Sequence, residues 1–208
     1  GEAIVGELTG TQLEFYPASM ISWQYFKTKY PDGSVLSRET GFSRDYGRNP
    51  YTGYDDVNNP PFLYDGPQTP GSLSPMARVL TINLNDEAVA YPYDILSEVK
   101  VINDSVGGED VVVFWAKGTA SALDTSSIPE GRDVGAAVAY SLLLNEQSLT
   151  FVLTDGKITD EQTNSEWNIF GQAIAGELKG KQLTPVVSIN HFWFSWAAFR
   201  PETKVYQP

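Results

Sequence analysis

The chain contains no cysteine. That one absence excludes disulfide scaffolding, thiol nucleophiles and thiolate metal ligands. Histidine occurs once, at His191, so a transition-metal site would have to draw its other ligands from carboxylates. Long apolar runs are missing too. The best candidate, Ala136 to Leu144, is broken by Tyr140 and Ser141 and reaches about half the ~20 residues that a spanning helix needs. Positive charge is scarce: 14 basic residues face 26 acidic ones, a formal net charge of -12 that repels phosphate backbones and anionic headgroups. Nucleic acid is therefore not expected as a partner, and no transmembrane segment is expected. Phosphate loops, dinucleotide fingerprints and the HExxH pattern are also lacking.

What is present is enough for a folded core. The 208 residues are 41% hydrophobic, a length that buries a core without disulfides or a structural metal, in one or two domains. Eleven Tyr, 5 Trp, 13 Pro and 18 Gly in an acidic chain with few Lys form the composition of an exported protein. The expected location is extracellular, periplasmic or at the cell surface.

The chain repeats itself. With an offset of 170 and no gap, Gly1/Gly171, Ala3/Ala173, Ile4/Ile174, Gly6/Gly176, Glu7/Glu177, Leu8/Leu178, Gly10/Gly180, Gln12/Gln182 and Leu13/Leu183 coincide, followed by Trp23/Trp193, Pro31/Pro201 and Val35/Val205. Ala3 to Leu13 reads as two short strands around a glycine turn. Ser22 suits the cap of a helix Trp23 to Tyr30 that Pro31 ends. A similar helix is expected to start at Asn190 or Ser188 and to stop at Pro201. Roughly Arg78 to Phe170 precedes the second copy and carries most of its strands. An equivalent upstream segment is therefore expected for the first copy, and edge strands left open without it would seek a partner by self-association or by retaining that segment.

The domain expectation is residues 1–75 as the C-terminal part of a first unit plus a Tyr/Pro/Gly-rich connector, and 76–208 as a second, more complete unit. Strands are expected at Arg78 to Leu84, Ala88 to Tyr91 and Val111 to Trp115, with a helical turn over Pro92 to Leu96. Asn103 to Gly108 reads as a turn, Ala137 to Leu144 and Leu149 to Leu153 as a hairpin around Asn145 and Glu146, and Asp155–Gly156 as a turn into Lys157 to Asp160. Asp160, Thr163, Asn164, Ser165 and Trp167 suggest a side-chain-stabilised turn with an anchoring tryptophan. The fold class expected is mostly β with a few short helices, a β-rich α+β protein of two related units, the first truncated at its N-terminus.

The segments GEAIVGELTGTQLE, SWQYFKTKYPDGSVLS, RDYGRNPYTGYDD, AVAYPYDILSEVKVINDSVGG and FWFSWAAFRPETKVY together resemble the bacterial and archaeal family known as domain of unknown function 3179, over nearly the whole chain. The resemblance implies exported or lipid-anchored proteins. It also implies a pattern with a histidine before the ND turn and paired cysteines after the following strand. Here Val99 stands at the histidine position and Trp115 to Gly118 in the cysteine region, so any metal or redox site built on that pattern would belong to the upstream segment.

Site candidates concentrate in the connector. Asp45, Asp55 and Asp56 are the metal candidates, with oxygen chemistry that suits calcium; solvation or pairing with Arg44 and Arg48 is the competing reading. Arg44, Asp45, Tyr46, Arg48, Tyr51 and Tyr54 form the ligand-binding candidate set, since the two arginines could also clamp a small anion. No catalytic residue is assigned and no cofactor is expected beyond calcium. The leading reading is a noncatalytic structural or protein-interaction module. Its alternatives are a hydrolase or metal/redox protein with active residues upstream, and a small-ligand or calcium module using the 44–56 loop. Exposed connector rings would favour binding; rings buried between the units would make the loop a tie.

Overall fold

The computed structural model describes residues 1–71 and 73–208. Helix α1 (Trp23–Lys29) opens at Ser22, whose hydroxyl accepts the Tyr25 N–H at 3.2 Å. After the connector come β1 (Arg78–Leu84), β2 (Glu87–Pro92), α2 (Tyr93–Val99), β3 (Val101–Val106) and β4 (Glu109–Ala116). The remaining elements are β5 (Ala136–Ser141), β6 (Leu143–Leu144), β7 (Gln147–Ser148), β8 (Phe151–Thr154), β9 (Lys157–Asp160), β10 (Glu166–Trp167), β11 (Ala173–Ala175), β12 (Ser188–Phe192), α3 (Trp193–Ala197) and β13 (Lys204–Val205). The protein is β-rich with three short helices among the described residues.

Layering follows from the alternation of side chains along strands. The middle sheet, ordered β3-β4-β5, is covered on both faces, which is why β4 is apolar at successive positions. Val111, Val113 and Trp115 join a core with Leu80, Ile82, Val89 and Tyr91 from the sheet β12-β1-β2-β13. Val112 and Phe114 face the other way, into a core with Phe151, Ile158, Trp167, Ala173 and Leu183 from and beside the sheet β11-β10-β9-β8. On the outer face of β1 and β2, Val79 and Ala90 receive Trp193 and Ala197 of α3.

Two local expectations are corrected. Asn103 to Ser105 lie inside β3, so the turn before β4 shrinks to Gly107 and Gly108. Side-chain pairing overrides turn propensity there: Asn103 exchanges two hydrogen bonds with the Phe151 backbone, and Asp104 accepts the Tyr91 hydroxyl at 2.9 Å. Ser188 and Asn190 do not start a helix, because that stretch is β12 and ladders against β1. The Asn145–Glu146 turn is a hairpin, with both residues at positive φ, but its longer arms diverge into different sheets. Asp160 is fully buried and accepts from the Thr163 and Ser165 backbones and from the Trp167 indole, as the spacing suggests.

The two similar segments share their local geometry. Ala3 N–H donates to Thr11, Gly10 to Ala3, Thr11 to Leu8 and Leu13 to Gly1; Ala173 donates to Lys181, Gly180 to Ala173, Lys181 to Leu178 and Leu183 to Gly171. Gly6 and Gly176 take φ of +93° and +89°, a region that costs side-chain-bearing residues about 1–2 kcal/mol. Their surroundings differ. A Cβ on Gly176 would lie 2.6 Å from the Ser165 Cα, whereas one on Gly6 meets nothing within 4 Å. Gly176→Ala is therefore expected to lower global stability by about 3 kcal/mol, combining backbone strain with overpacking. Gly6→Ala should cost about 1 kcal/mol, confined to its own hairpin. Denaturant unfolding of the two variants checks the difference.

Candidate functional site

The connector is fastened to the strands and loops after residue 75 through Asp55. Its carboxylate is buried and receives Arg132 at 3.0 Å, Arg78 at 3.3 Å and the Ser121 hydroxyl. Arg132 also binds the Asp55 carbonyl at 2.8 Å and the Asp124 carboxylate at 2.8 Å. Backbone bonds run alongside: Asn49 N–H to Ser126, Gly53 N–H to Asp124, Tyr54 N–H to Leu123 and Ile128 N–H to Gly47. The Asn49 side chain is buried and reaches the Thr125 carbonyl at 3.1 Å. A buried carboxylate with two guanidinium partners and a hydroxyl is a structural clamp, since its lone pairs are already occupied.

The other connector candidates are dispersed around this clamp. Asp45 is exposed and pairs with Arg48 at 3.5 Å, while Arg44 lies exposed on the surface. Asp56 accepts the backbone and side-chain N–H groups of Asn58, and these bonds hold its carboxyl below the usual range. Tyr46 is exposed and bonds Thr40 at 2.6 Å. Tyr51 stands exposed at a right-angled contact with Tyr54, and Tyr54 leans on Phe192 at 5.9 Å between ring centroids. Asp45, Asp55 and Asp56 thus have separate partners. Among the described residues no group of three or more His, Asp or Glu side chains is placed to hold a metal ion. Of the expected set, Asp55 and Tyr54 join the two parts of the chain and the others remain at the surface.

Beside Asp55 opens a cleft of about 560 Å³, lined by Arg78, Tyr93, Trp115, Arg132, Asp133 and Phe192 among others. Arg78 lies 5.1 Å from the centre of the Phe192 ring. Burial pushes the Tyr93 phenol up to about 12, and its oxygen accepts the Asn190 amide at 2.7 Å. The serines at the cleft donate to backbone carbonyls, Ser74 to Val57 and Ser97 to Asp94. Asp133 is wrapped by the N–H groups of Gly118, Thr119 and Gly135. Among the described lining residues no serine hydroxyl is set against a base, and the hydroxyl that Asp55 accepts comes from the buried Ser121. Trp115, where the resemblance would place a cysteine, belongs to the apolar core, with the Lys100 ammonium 3.8 Å from its ring centre. Val99 is half-exposed at the end of α2. Neither side chain can ligate a metal.

Arg78, Arg132 and Ser121 escaped the sequence reading. An arginine opening an apolar strand was the one available signal, and it applies to Arg78 alone.

His191 lines a separate cavity of about 510 Å³ with Thr81, Ser195, Trp196 and Phe15. Its Nε2 is buried without a hydrogen-bond partner, and burial lowers its pKa from the ordinary 6.5. The sign of the linkage follows. Below about pH 6.5 the unfolded chain takes up a proton that the native state refuses until its lower pKa is reached, so stability falls on acidification through that window. The contribution is limited to about 1.4 kcal/mol per pH unit. Urea unfolding between pH 7.5 and 5 is expected to show this slope, and His191→Gln to reduce it.

The widest chemical contrast lies in the two similar segments. Leu183 is 0% exposed and Trp193 1%, whereas Leu13 is 69% and Trp23 55% exposed. Ile4, Val5, Leu8, Phe15 and Tyr16 are exposed as well, so the N-terminal segment presents apolar side chains to solvent, as Ile174, the counterpart of Ile4, does in part at 41%. Among the described residues the second of the similar segments has strands that the first lacks: β12 ladders on β1 and β13 on β2, while residues 18–22 and 34–35 form no strand. Helix α1 also packs on the rest of the chain, with Tyr25 and Tyr30 edge-on to Phe170 and Lys29 bound to Gln172. No helix among the described residues is long and apolar enough to cross a membrane.

Neither the curated proteins nor the solved structures contain a match to this chain. The family model described as protein of unknown function (DUF3179) does match it, across residues 1–203, and the chain belongs to that family.

Proposed function

We propose that this chain is a noncatalytic, extracytoplasmic protein-interaction module and that it belongs to a duplicated protein of which Gly1 to Val35 and Gly171 to Val205 are corresponding pieces. The observation that carries this reading is the shared hairpin and helix, with the apolar face packed in one copy and open to solvent in the other. Shared turn hydrogen bonds at a constant offset support common descent of the segments, beyond the sequence coincidence. Bare Leu and Trp side chains at positions that are core in the second copy support a surface meant to be covered. The committed charges of the Asp55 clamp and the unactivated serines of the adjacent cleft support the noncatalytic part. The acidic composition, rich in Tyr, Trp, Pro and Gly and poor in Lys, accords with an exported protein.

Sedimentation velocity on the purified chain, together with native mass spectrometry, tests the interaction reading. Association with itself or with a retained polypeptide is expected, and Leu13→Glu should abolish it. A chain that stays monomeric and partner-free at every concentration contradicts the reading. Protease shaving of intact producing cells tests location: degradation of the chain is expected, and full protection contradicts export.

A further inference from the structure

We infer that the bare N-terminal face is the docking surface for an upstream segment of the same polypeptide with the sheet architecture of residues 78–170. This inference rests on the interaction reading above and names its partner. Four features of the second copy define the occupant. Leu183 and Ala173 enter a core with Phe114, Tyr140 and Trp167. Trp193 sits over Val79 and Ala90. The stretch 188–192 adds as an antiparallel strand to β1, and Lys204–Val205 as a parallel strand to β2.

Carried over by the offset of 170, the same slots would take Leu13, Ala3 and Trp23, with 18–22 and 34–35 completing two strand ladders. The hairpin of residues 1–13 and helix α1 keep their local turn and helix bonds here, while 18–22 and 34–35 form no ladder and Leu13 and Trp23 stay exposed. That division is what removal of a sheet partner produces, because turn bonds are local and ladder bonds are not. The partner is thus a sheet offering a β1-like edge and an apolar surface, engaged by strand addition as well as by side-chain burial.

Direction along the chain follows from the same comparison. In the second copy the covering strands β1 to β10 all precede the hairpin, and β10 feeds β11 directly. A second copy of this chain is a poorer occupant, since its own slots are already filled by Leu183 and Trp193 and would have to be vacated by a swap.

The test uses the full reading frame with a protease site placed directly before Gly1. After folding and cutting, native mass spectrometry asks whether the upstream piece stays bound. A 1:1 complex is expected, weakened about a hundredfold by Leu13→Glu, a charge placed in an apolar slot. The same substitution in the 208-residue chain alone should leave its melting temperature unchanged, which separates docking from folding. Release of the upstream piece, together with a dimer of the 208-residue chain that Leu13→Glu dissolves, overturns the partner assigned here and leaves the interaction reading standing. Release with no association of any kind overturns both.

Discussion

Trp193→Ala is expected to destabilise the protein by about 3–5 kcal/mol, the usual cost of emptying a buried indole site. The side chain is enclosed by Val79, Ala90 and Ala197, and its N–H donates to the Pro70 carbonyl at 2.9 Å, so the substitution leaves both a cavity and an unpaired acceptor. The change at the matching position of the N-terminal segment, Trp23→Ala, removes a half-exposed ring that stacks on Phe26 at 5.4 Å and carries Lys27 over its face. Its cost in the same chain should stay within about 0.5 kcal/mol. Equilibrium urea unfolding of both variants measures the contrast. Equal costs would mean that the two helices are packed alike, against the exposures described above.

Asp55→Ala carries the second large effect. The carboxylate is buried, and its removal strands Arg78, whose side chain is 14% exposed, without a counter-charge. Loss of one partner from such a pair costs about 3 kcal/mol. Arg132→Ala should cost less, because Arg132 is 44% exposed and water can screen and replace its bonds. The connector provides a second readout. With the clamp gone, residues 44–56 keep their backbone bonds to 123–128 and the Asn49 side-chain bond to Thr125, and limited proteolysis should cut there first. Unchanged stability and unchanged cleavage would show that these remaining bonds hold the loop, removing Asp55 from its structural role.

The sequence made the local elements legible because their causes are local. Ser22 before Trp23 identified a helix start, and Asp160 with Trp167 identified a buried turn, since capping and turn chemistry act over a few residues. The apolar run Val111 to Trp115 identified a strand, and the structure shows why the run is unbroken, since both of its faces are covered. Partners far along the chain were less accessible. Asn103 reads as a turn residue until Phe151 arrives opposite it, and the Asn190 stretch reads as a cap until β1 supplies a ladder. The connector shows the same limit at the site: its tyrosines, arginines and aspartates share one stretch of sequence, yet only Asp55 is paired with two arginines, and both come from beyond residue 75. Exposure of Leu13 and Trp23 also lay beyond reach, since Leu183 and Trp193 at the matching positions are core.

Amide hydrogen exchange on the 208-residue chain tests the central claim most directly, because it reads both segments in one sample. The account predicts that the amides of residues 171–183 and 188–192 exchange only through global opening, while those of 1–13 and 18–22 exchange faster by about a hundredfold or more. Matching slow exchange in both segments would mean that the first copy is already held as firmly as the second, and would contradict a docking face left open.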